Sequence, residues 1–526
     1  MTKTIATING LPDTMTPAFL GRLTQLATVG PDADTLTRRA PYTGAPLADL
    51  PVATPAAVEG AFATARIAQR TWAAMPVRRR AQIILRFHDL VLERQEGVLD
   101  LMQAEAGKTR RDAFMEVTDV AMTARYYARQ AAKMLAPKRR RGAIPVLTHT
   151  TELRHPKGVV AVVSPWNYPL SMAATDALAA LLAGNAVVQK PDVQTALTAL
   201  WSLDLMLEAG LPPGVWQMVI GRGSSIGPAL VDNADFMMFT GSTASGRQIA
   251  RDAGERLIGA SLELGGKNPM VVLPDADLNK VTEGVIAACF PSAGQLCVST
   301  ERIYVPEDVK DDLLTRIEAR VAKIRLGAGY DYSYDMGSLT SESQLATVTE
   351  HVTDAVRKGA RVVAGGRPRP DLGPLFYEPT VLTDVTPDMK IYREETFGPV
   401  VSVYGFTTEE QAVAMANDTI YGLNASVWTT DGRKGRRIAA RIHAGTVNVN
   451  EAYAAAWGSV AAPMGGMGAS GLGRRHGGDG LLKYTEAQTV AHQRLQPIGP
   501  PNGMQWPEFA TTMTRVLRAV KRVGLS

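Results

Sequence analysis

The chain has 526 residues, 45% hydrophobic and 20% charged, with a net charge of +5 from 56 basic and 51 acidic side chains. That length suits more than one domain, and no window approaches the ~18 unbroken apolar residues of a membrane-spanning helix. Two cysteines exclude a disulfide framework and a cysteine-rich zinc site, and a reducing cytoplasm is the expected compartment.

Residues 1–57 read as irregular, with turn signals at PDAD and APYTGAPLADLP; the opening MTKTIATINGLPDTMT has no apolar core region. From about Ala56 to Leu135 apolar residues recur three and four apart, predicting helices that stop at Gly107-Lys108. PKRRRG, with Lys138, Arg139, Arg140 and Arg141, reads as a solvated loop or subunit rim. No zinc-finger spacing or aromatic RNA-binding motif supports a nucleic-acid role.

From residue 158 short apolar runs alternate with helical patterns: GVVAVVSPW, AVVQKP, VWQMVIG and FMMFTG as strands, MAATDALAALLAGN, TALTALWSLDLMLEAG, SSIGPALVDN and STASGRQIARDAG as helices. This predicts an α/β, doubly wound parallel sheet with ligands at the carboxyl ends of its strands. The alternation resumes from NPMVVL to GTVNVN, predicting a second α/β domain. After the linker PIGPPNG (497–503), residues 507–523 fit a basic amphipathic helix with Phe509, Met513, Val516, Leu517 and Val520 on one face. Packing on a neighbouring subunit is the plain reading of that tail; an anionic membrane surface is the other.

Several residues carry chemistry. Gly241 and Ser242 sit where a strand meets a helix N-terminus, a place suited to a pyrophosphate, although a simple capped turn has the same look. GRGSSIG (221–227) comes closer to a dinucleotide spacing but is no stronger. Lys190 follows a strand at a carboxyl end, where it can reach ribose or phosphate, or merely solvent. Glu263 stands in an apolar strand before Gly-Gly, which raises a carboxyl toward a useful general base; a paired buried acid is the alternative. Cys297 follows Gly294-Gln295 at the end of the helix LNKVTEGVIAACFPSAG. A lone cysteine is more often apolar filler, and no histidine lies at a protease spacing from it.

Taken together, SPWNYP, QKPD, FTGST, ELGGKNP, GQLC and EETFGPV occur in succession. With them the sequence resembles the aldehyde dehydrogenase superfamily, from about PYTGAPLADLPVAT to GLGRRHGGDGLLKYTE. The resemblance implies a Rossmann-type cofactor domain (1–136 and 156–265), an α/β catalytic domain (266–484), a β-strand oligomerisation arm (137–155 and 485–500) and a basic tail (501–526). It implies a homodimer or homotetramer and no metal. Cys297 matches the attacking nucleophile, whereas Cys289 remains core filler. Asn167 matches the oxyanion-binding amide, and Glu263 the base that hydrolyses the thioester. Coenzyme-A-acylating relatives lack that glutamate, so a free carboxylate is the implied product.

The resemblance also assigns Trp166, Asn167, Lys190, Pro191, Asp192, Val193, Gly241, Ser242, Leu264, Glu395 and Phe397 to the dinucleotide. Many NAD-preferring members have a glutamate three residues after the lysine of KP; here that position is Val193, which favours NADP, with NAD second because Asp192 is adjacent. The motif context is most similar to bacterial NADP-type succinate-semialdehyde dehydrogenases. Ser470 matches their tunnel serine, but their two tunnel arginines are replaced by Thr175 and Pro291. With Trp457 nearby, a more apolar aldehyde is the alternative substrate. Ser299 takes the place of a second cysteine that forms a redox switch in some relatives. A non-redox thiol esterase and a non-catalytic binding protein are the competing classes.

Overall fold

The computed structural model describes residues 11–522 except 32, 145, 146 and 496. Parts of three expectations therefore lie outside the described residues: the start of the irregular N-terminal segment, two positions of the arm with one of its return strand, and the end of the basic tail.

The chain divides into two units, residues 1–134 with 156–485, and residues 135–155 with 486–526. In the larger unit the N-terminal segment is more ordered than expected. Thr16 caps a helix Pro17–Thr24 whose first residue is proline, and strands β1 (Thr35–Arg39) and β2 (Pro46–Pro51) form an antiparallel hairpin. The hairpin was illegible because β1 has no buried face to impose an alternation of apolar residues. Helices Pro55–Ala74, Val77–Glu93, Gln95–Ala106 and Arg110–Met134 follow. The third ends at Gly107, left-handed with φ +73°, as its Gly-Lys signal predicts.

β3 (Lys138–Arg140) and β4 (Thr148–Pro156) belong almost wholly to the smaller unit. In the larger unit come β5 (Val159–Ser164), β6 (Ala186–Pro191), β7 (Trp216–Met218), β8 (Phe236–Thr240) and β9 (Gly259–Glu263). Next are β10 (Asn268–Val272), β11 (Thr300–Pro306), β12 (Arg361–Ala364), β13 (Thr380–Thr383), β14 (Val400–Phe406), β15 (Asn424–Trp428), β16 (Thr446–Val449) and β17 (Gly471–Leu472). β18 (Thr485–Gln493) closes the series.

A six-stranded sheet has the order β17-β9-β8-β5-β6-β7, parallel except for β17 on β9. A seven-stranded sheet has the order β12-β13-β14-β11-β10-β15-β16, parallel except for β12. β5, β6 and β10 are buried almost throughout, as parallel strands covered on both faces must be. The smaller unit holds a three-stranded sheet, β18-β4-β3, and the helix Trp506–Arg522. Among the described residues no helix is long and apolar enough to cross a membrane.

Candidate active site

The turn after β5 carries Trp166 and Asn167, and Pro169 opens the next helix, Pro169–Leu182. That turn is pinned from below. Lys108 donates to the Asn167 carbonyl at 2.7 Å and pairs with the buried Glu116. The other Glu116 oxygen accepts from Leu170 N–H at 2.9 Å and Ser171 N–H at 3.0 Å, capping the helix. Asn167 Nδ2 donates to the Gln295 carbonyl at 2.9 Å, which ties this turn to the cysteine loop and leaves one amide hydrogen free.

The helix before Cys297 stops at Cys289, not at Gly294 as the sequence suggested. Pro291 cannot extend it, and Ser292 (φ 51°), Ala293 (φ 54°) and Gly294 (φ 69°) turn left-handed. A Cβ on Gly294 would lie 2.0 Å from the Gly398 carbonyl oxygen, so only glycine fits. Asp112 accepts from Ser292 N–H at 2.9 Å, and Gln295 accepts from Thr340 N–H at 3.0 Å while donating to the Ser292 carbonyl. The strained turn is thus held from both sides. Cys289 is packed in the apolar core, and burial pushes its thiol up.

Cys297 and Glu263 line one cavity of about 270 Å³ together with Trp166, Asn167, Gly241, Ser242, Leu264, Glu395, Phe397 and Trp457. Glu263 ends β9, buried, with Oε1 lacking a hydrogen-bond partner. Burial pushes its carboxyl up to about 7, against the pull of Arg475 and Lys483. Burial, then the Glu263 and Glu395 carboxyls, push the Cys297 thiol up to about 12. At neutral pH the resting nucleophile is therefore a thiol that needs a base to take its proton. Glu395 accepts from Gly266 N–H at 2.8 Å, and its own carboxyl is pushed up to about 8, by burial first and Glu301 second.

A second cavity of about 490 Å³ shares Trp166, Gly241 and Ser242 with the first and adds Lys190, Asp192, Gly223, Ser224 and Ser245. Two helix N-termini face it, Gly223–Asn233 and Thr243–Glu255, and Ser242 Oγ caps the latter by accepting from Ser245 N–H at 3.2 Å. GRGSSIG, left undecided by its spacing, is thus part of the cleft. A Cβ on Gly246 would sit 2.3 Å from the Leu264 side chain, and one on Gly265 2.3 Å from Glu395 Oε2. An elongated dinucleotide with two phosphates fits these joined cavities: small residues where backbone comes close, N–H groups for phosphate, Lys190 for a hydroxyl or phosphate.

Not every predicted residue arrives there. Pro191 and Val193 do not line either cavity. Ser470, read as a tunnel serine, is fully buried; it donates to the Gly265 carbonyl at 2.7 Å and accepts from Gly422 N–H at 2.9 Å. Its hydroxyl proton and one lone pair are spent on scaffold. Thr175 likewise lies outside the cavity, donating to the Ser171 carbonyl and accepting from Arg475. Trp457 does line it, and also a narrower cavity of about 120 Å³ with Met115, Asp119, Met122, Tyr168, Leu296 and Tyr453. Among the described residues neither of these two cavities is lined by a lysine or arginine.

Other residues escaped sequence reasoning. Gln344 lines the Cys297 cavity and donates to the Phe397 carbonyl at 2.8 Å. Lys108 follows a helix-stopping glycine, the one cue it offered. Arg475, in GLGRRHGG, is buried and ion-paired with Asp176 at 2.8 Å.

Residues 29–490 match the aldehyde dehydrogenase family. The chain belongs to the aldehyde dehydrogenase family. Among relatives, a Mycolicibacterium smegmatis protein named "Putative succinate-semialdehyde dehydrogenase [NADP(+)]" is 54% identical over 92% of this chain and 93% of its own. A Mycobacterium tuberculosis protein named "Putative succinate-semialdehyde dehydrogenase [NADP(+)] 2" is 52% identical over the same shares. The Staphylococcus aureus betaine aldehyde dehydrogenase, solved in complex with NAD+, superposes with a TM-score of 0.87 at 31% identity, covering 93% of this chain and 98% of its own. The aldehyde dehydrogenase fold expected from the motifs is therefore the fold of this chain, and aldehyde oxidation is the chemistry of its family.

Proposed function

We propose that this aldehyde dehydrogenase oxidises succinate semialdehyde to succinate with NADP, through Cys297. The observation that carries the catalytic assignment is the single cavity holding Cys297, Glu263 and Asn167. Glu263 takes the Cys297 proton, and Sγ adds to the aldehyde carbonyl carbon. The oxygen that becomes negative meets the Cys297 N–H and the free Asn167 amide hydrogen; such donors each typically lower a barrier by ~3–4 kcal/mol. The nicotinamide dinucleotide, when bound, supplies the hydride acceptor. Loss of hydride leaves a thioester on Cys297. Glu263 passes its proton to solvent and, ionised again, deprotonates the water that attacks the thioester; the C–S bond breaks, the Cys297 sulfur leaves and is reprotonated by Glu263, and the free acid is released.

The names of the relatives support succinate semialdehyde and NADP. The absence of a carboxylate at Val193 supports NADP too, since a carboxylate there would repel a 2′-phosphate. Asp192 reaches the second cavity, but its Oδ1 accepts from Gln194 N–H at 2.9 Å. Trp166, Leu264, Glu395 and Phe397 hold the nicotinamide end in this reading, and Lys190, Asp192, Gly241 and Ser242 the adenosine diphosphate end. Residues 1–136 with 156–265 serve the cofactor, 266–484 the chemistry. Residues 137–155 with 485–500 join a homo-oligomer by strand addition, and the compartment is the cytoplasm.

A second reading rests on the substrate cavities. With apolar and aromatic walls, Asp119 and, among the described residues, no lysine or arginine, they favour a more apolar aldehyde over an anionic one. Steady-state kinetics with succinate semialdehyde and a medium-chain aliphatic aldehyde, each with NADP and NAD, separates the two. A dominant kcat/KM for succinate semialdehyde with NADP is expected; dominance of the aliphatic aldehyde overturns that substrate and leaves the catalytic assignment intact.

A further inference from the structure

The positive charge of this chain is segregated. The smaller unit, residues 135–155 and 486–526, carries ten lysines and arginines against three glutamates, hence +7, whereas the whole chain is +5 and the larger unit is left at −2. Four of those cations lie on the helix Trp506–Arg522, beyond residue 490 where the family match ends. Trp506, Phe509, Met513, Val516, Leu517 and Val520 recur three or four apart, so they share one face of that helix. Arg515, Arg518 and Arg522 fall on the opposite face, with Lys521 at the boundary. None of its side chains is buried; Trp506 is 67% and Leu517 61% exposed. Trp506 and Phe509 meet edge to face, 5.7 Å between ring centroids.

We propose that the helix Trp506–Arg522 docks this enzyme on an anionic lipid surface, lying in the plane of the interface. Its apolar face enters the boundary between headgroups and acyl chains, where an indole is well accommodated. Its arginines and lysine meet lipid phosphates, and the rest of the +7 unit adds long-range attraction. Charge selects this occupant. Arg515, Arg518 and Arg522 stand on the face opposite the apolar one, where an anionic bilayer neutralises them while the apolar side chains enter it. The helix is too short and too charged to cross a bilayer, so the docking is peripheral and reversible.

The test is flotation of the full-length protein with phosphatidylglycerol/phosphatidylcholine vesicles and with vesicles of phosphatidylcholine alone, at low and high salt. The protein is expected to float with the anionic vesicles at low salt, to be released by high salt, and to stay behind with neutral ones. Leu517→Asp on the apolar face and Arg518→Glu on the polar face should each lower the bound fraction about tenfold. Aldehyde turnover and the mass by light scattering should stay as in the wild type. Absence of flotation with anionic vesicles at low salt overturns the proposal, as does flotation unchanged in both variants. A drop in oligomer mass for Leu517→Asp also overturns it, assigning the apolar face to a second copy.

Discussion

Arg475 donates to Asp176 Oδ2 at 2.8 Å, and this buried ion pair acts on the Glu263 carboxyl. Burial raises the Glu263 carboxyl; of the neighbouring charges Arg475 opposes that most strongly, Lys483 adds to it, and Asp176 works the other way. The carboxyl proposed as the base is thus poised by a pair that does not line the Cys297 cavity.

Arg475→Met should raise the pH at which turnover is half-maximal, because Glu263 loses its main cationic neighbour. It should also cost stability, by at most about 3–5 kcal/mol, since the buried Asp176 is left with Lys483 alone, 3.9 Å away. The kcat–pH profile and thermal unfolding check the two separately. A loss of stability with an unmoved pH profile would make Arg475 scaffold alone.

Wild-type turnover should fall as the pH drops through about 7, where Glu263 takes up its proton. Glu263→Gln should slow both the single-turnover burst of reduced cofactor and steady turnover, each ~10²–10⁴-fold. Stopped-flow absorbance at the reduced-nicotinamide band distinguishes this from a full-rate burst followed by slow turnover, which would confine Glu263 to hydrolysis of the thioester.

The same substitution bears on stability. The folded carboxyl keeps its proton up to about 7, while the unfolded one releases it near 4.5. Stability from the neutral form is therefore fully present below pH 4.5 and is lost as the pH rises through 7. Glu263→Gln, which does not titrate, should unfold like wild type near pH 4 and be more stable above pH 7, by at most roughly 3 kcal/mol. Thermal melts across that range measure the difference.

Cys297→Ala should abolish aldehyde oxidation while the dinucleotide still binds, as seen by quenching of protein fluorescence. Asn167→Ala should lower kcat on the order of 10²-fold, the loss of one oxyanion donor. Retained turnover in the cysteine variant would sink the covalent mechanism.

Asp119 lines the narrow cavity with an unpartnered Oδ1. Asp119→Asn should lower KM for succinate semialdehyde at least about threefold by removing a like charge, and leave KM for an aliphatic aldehyde unchanged. Equal shifts for both would point to a packing effect.

Much of this protein was determined by local sequence. Alternation of short apolar runs with helical periods sets the parallel sheets, because burial on both faces of a strand demands it. Gly107 and Ser242 act as caps through backbone chemistry legible in a few residues. The order of the motifs from SPWNYP to EETFGPV specified the family, and with it Cys297, Glu263 and Asn167, which the fold brings to one cavity. Tertiary structure decided what depends on contacts far apart in the chain. Ser470 spends its hydroxyl on Gly265 and Gly422 rather than on the cavity. Arg475 finds Asp176 across 299 positions, and Gln344 reaches the Phe397 carbonyl across 53. No periodicity records such partners, because the direction of a buried polar side chain is fixed by whichever distant group the packing places within hydrogen-bond reach.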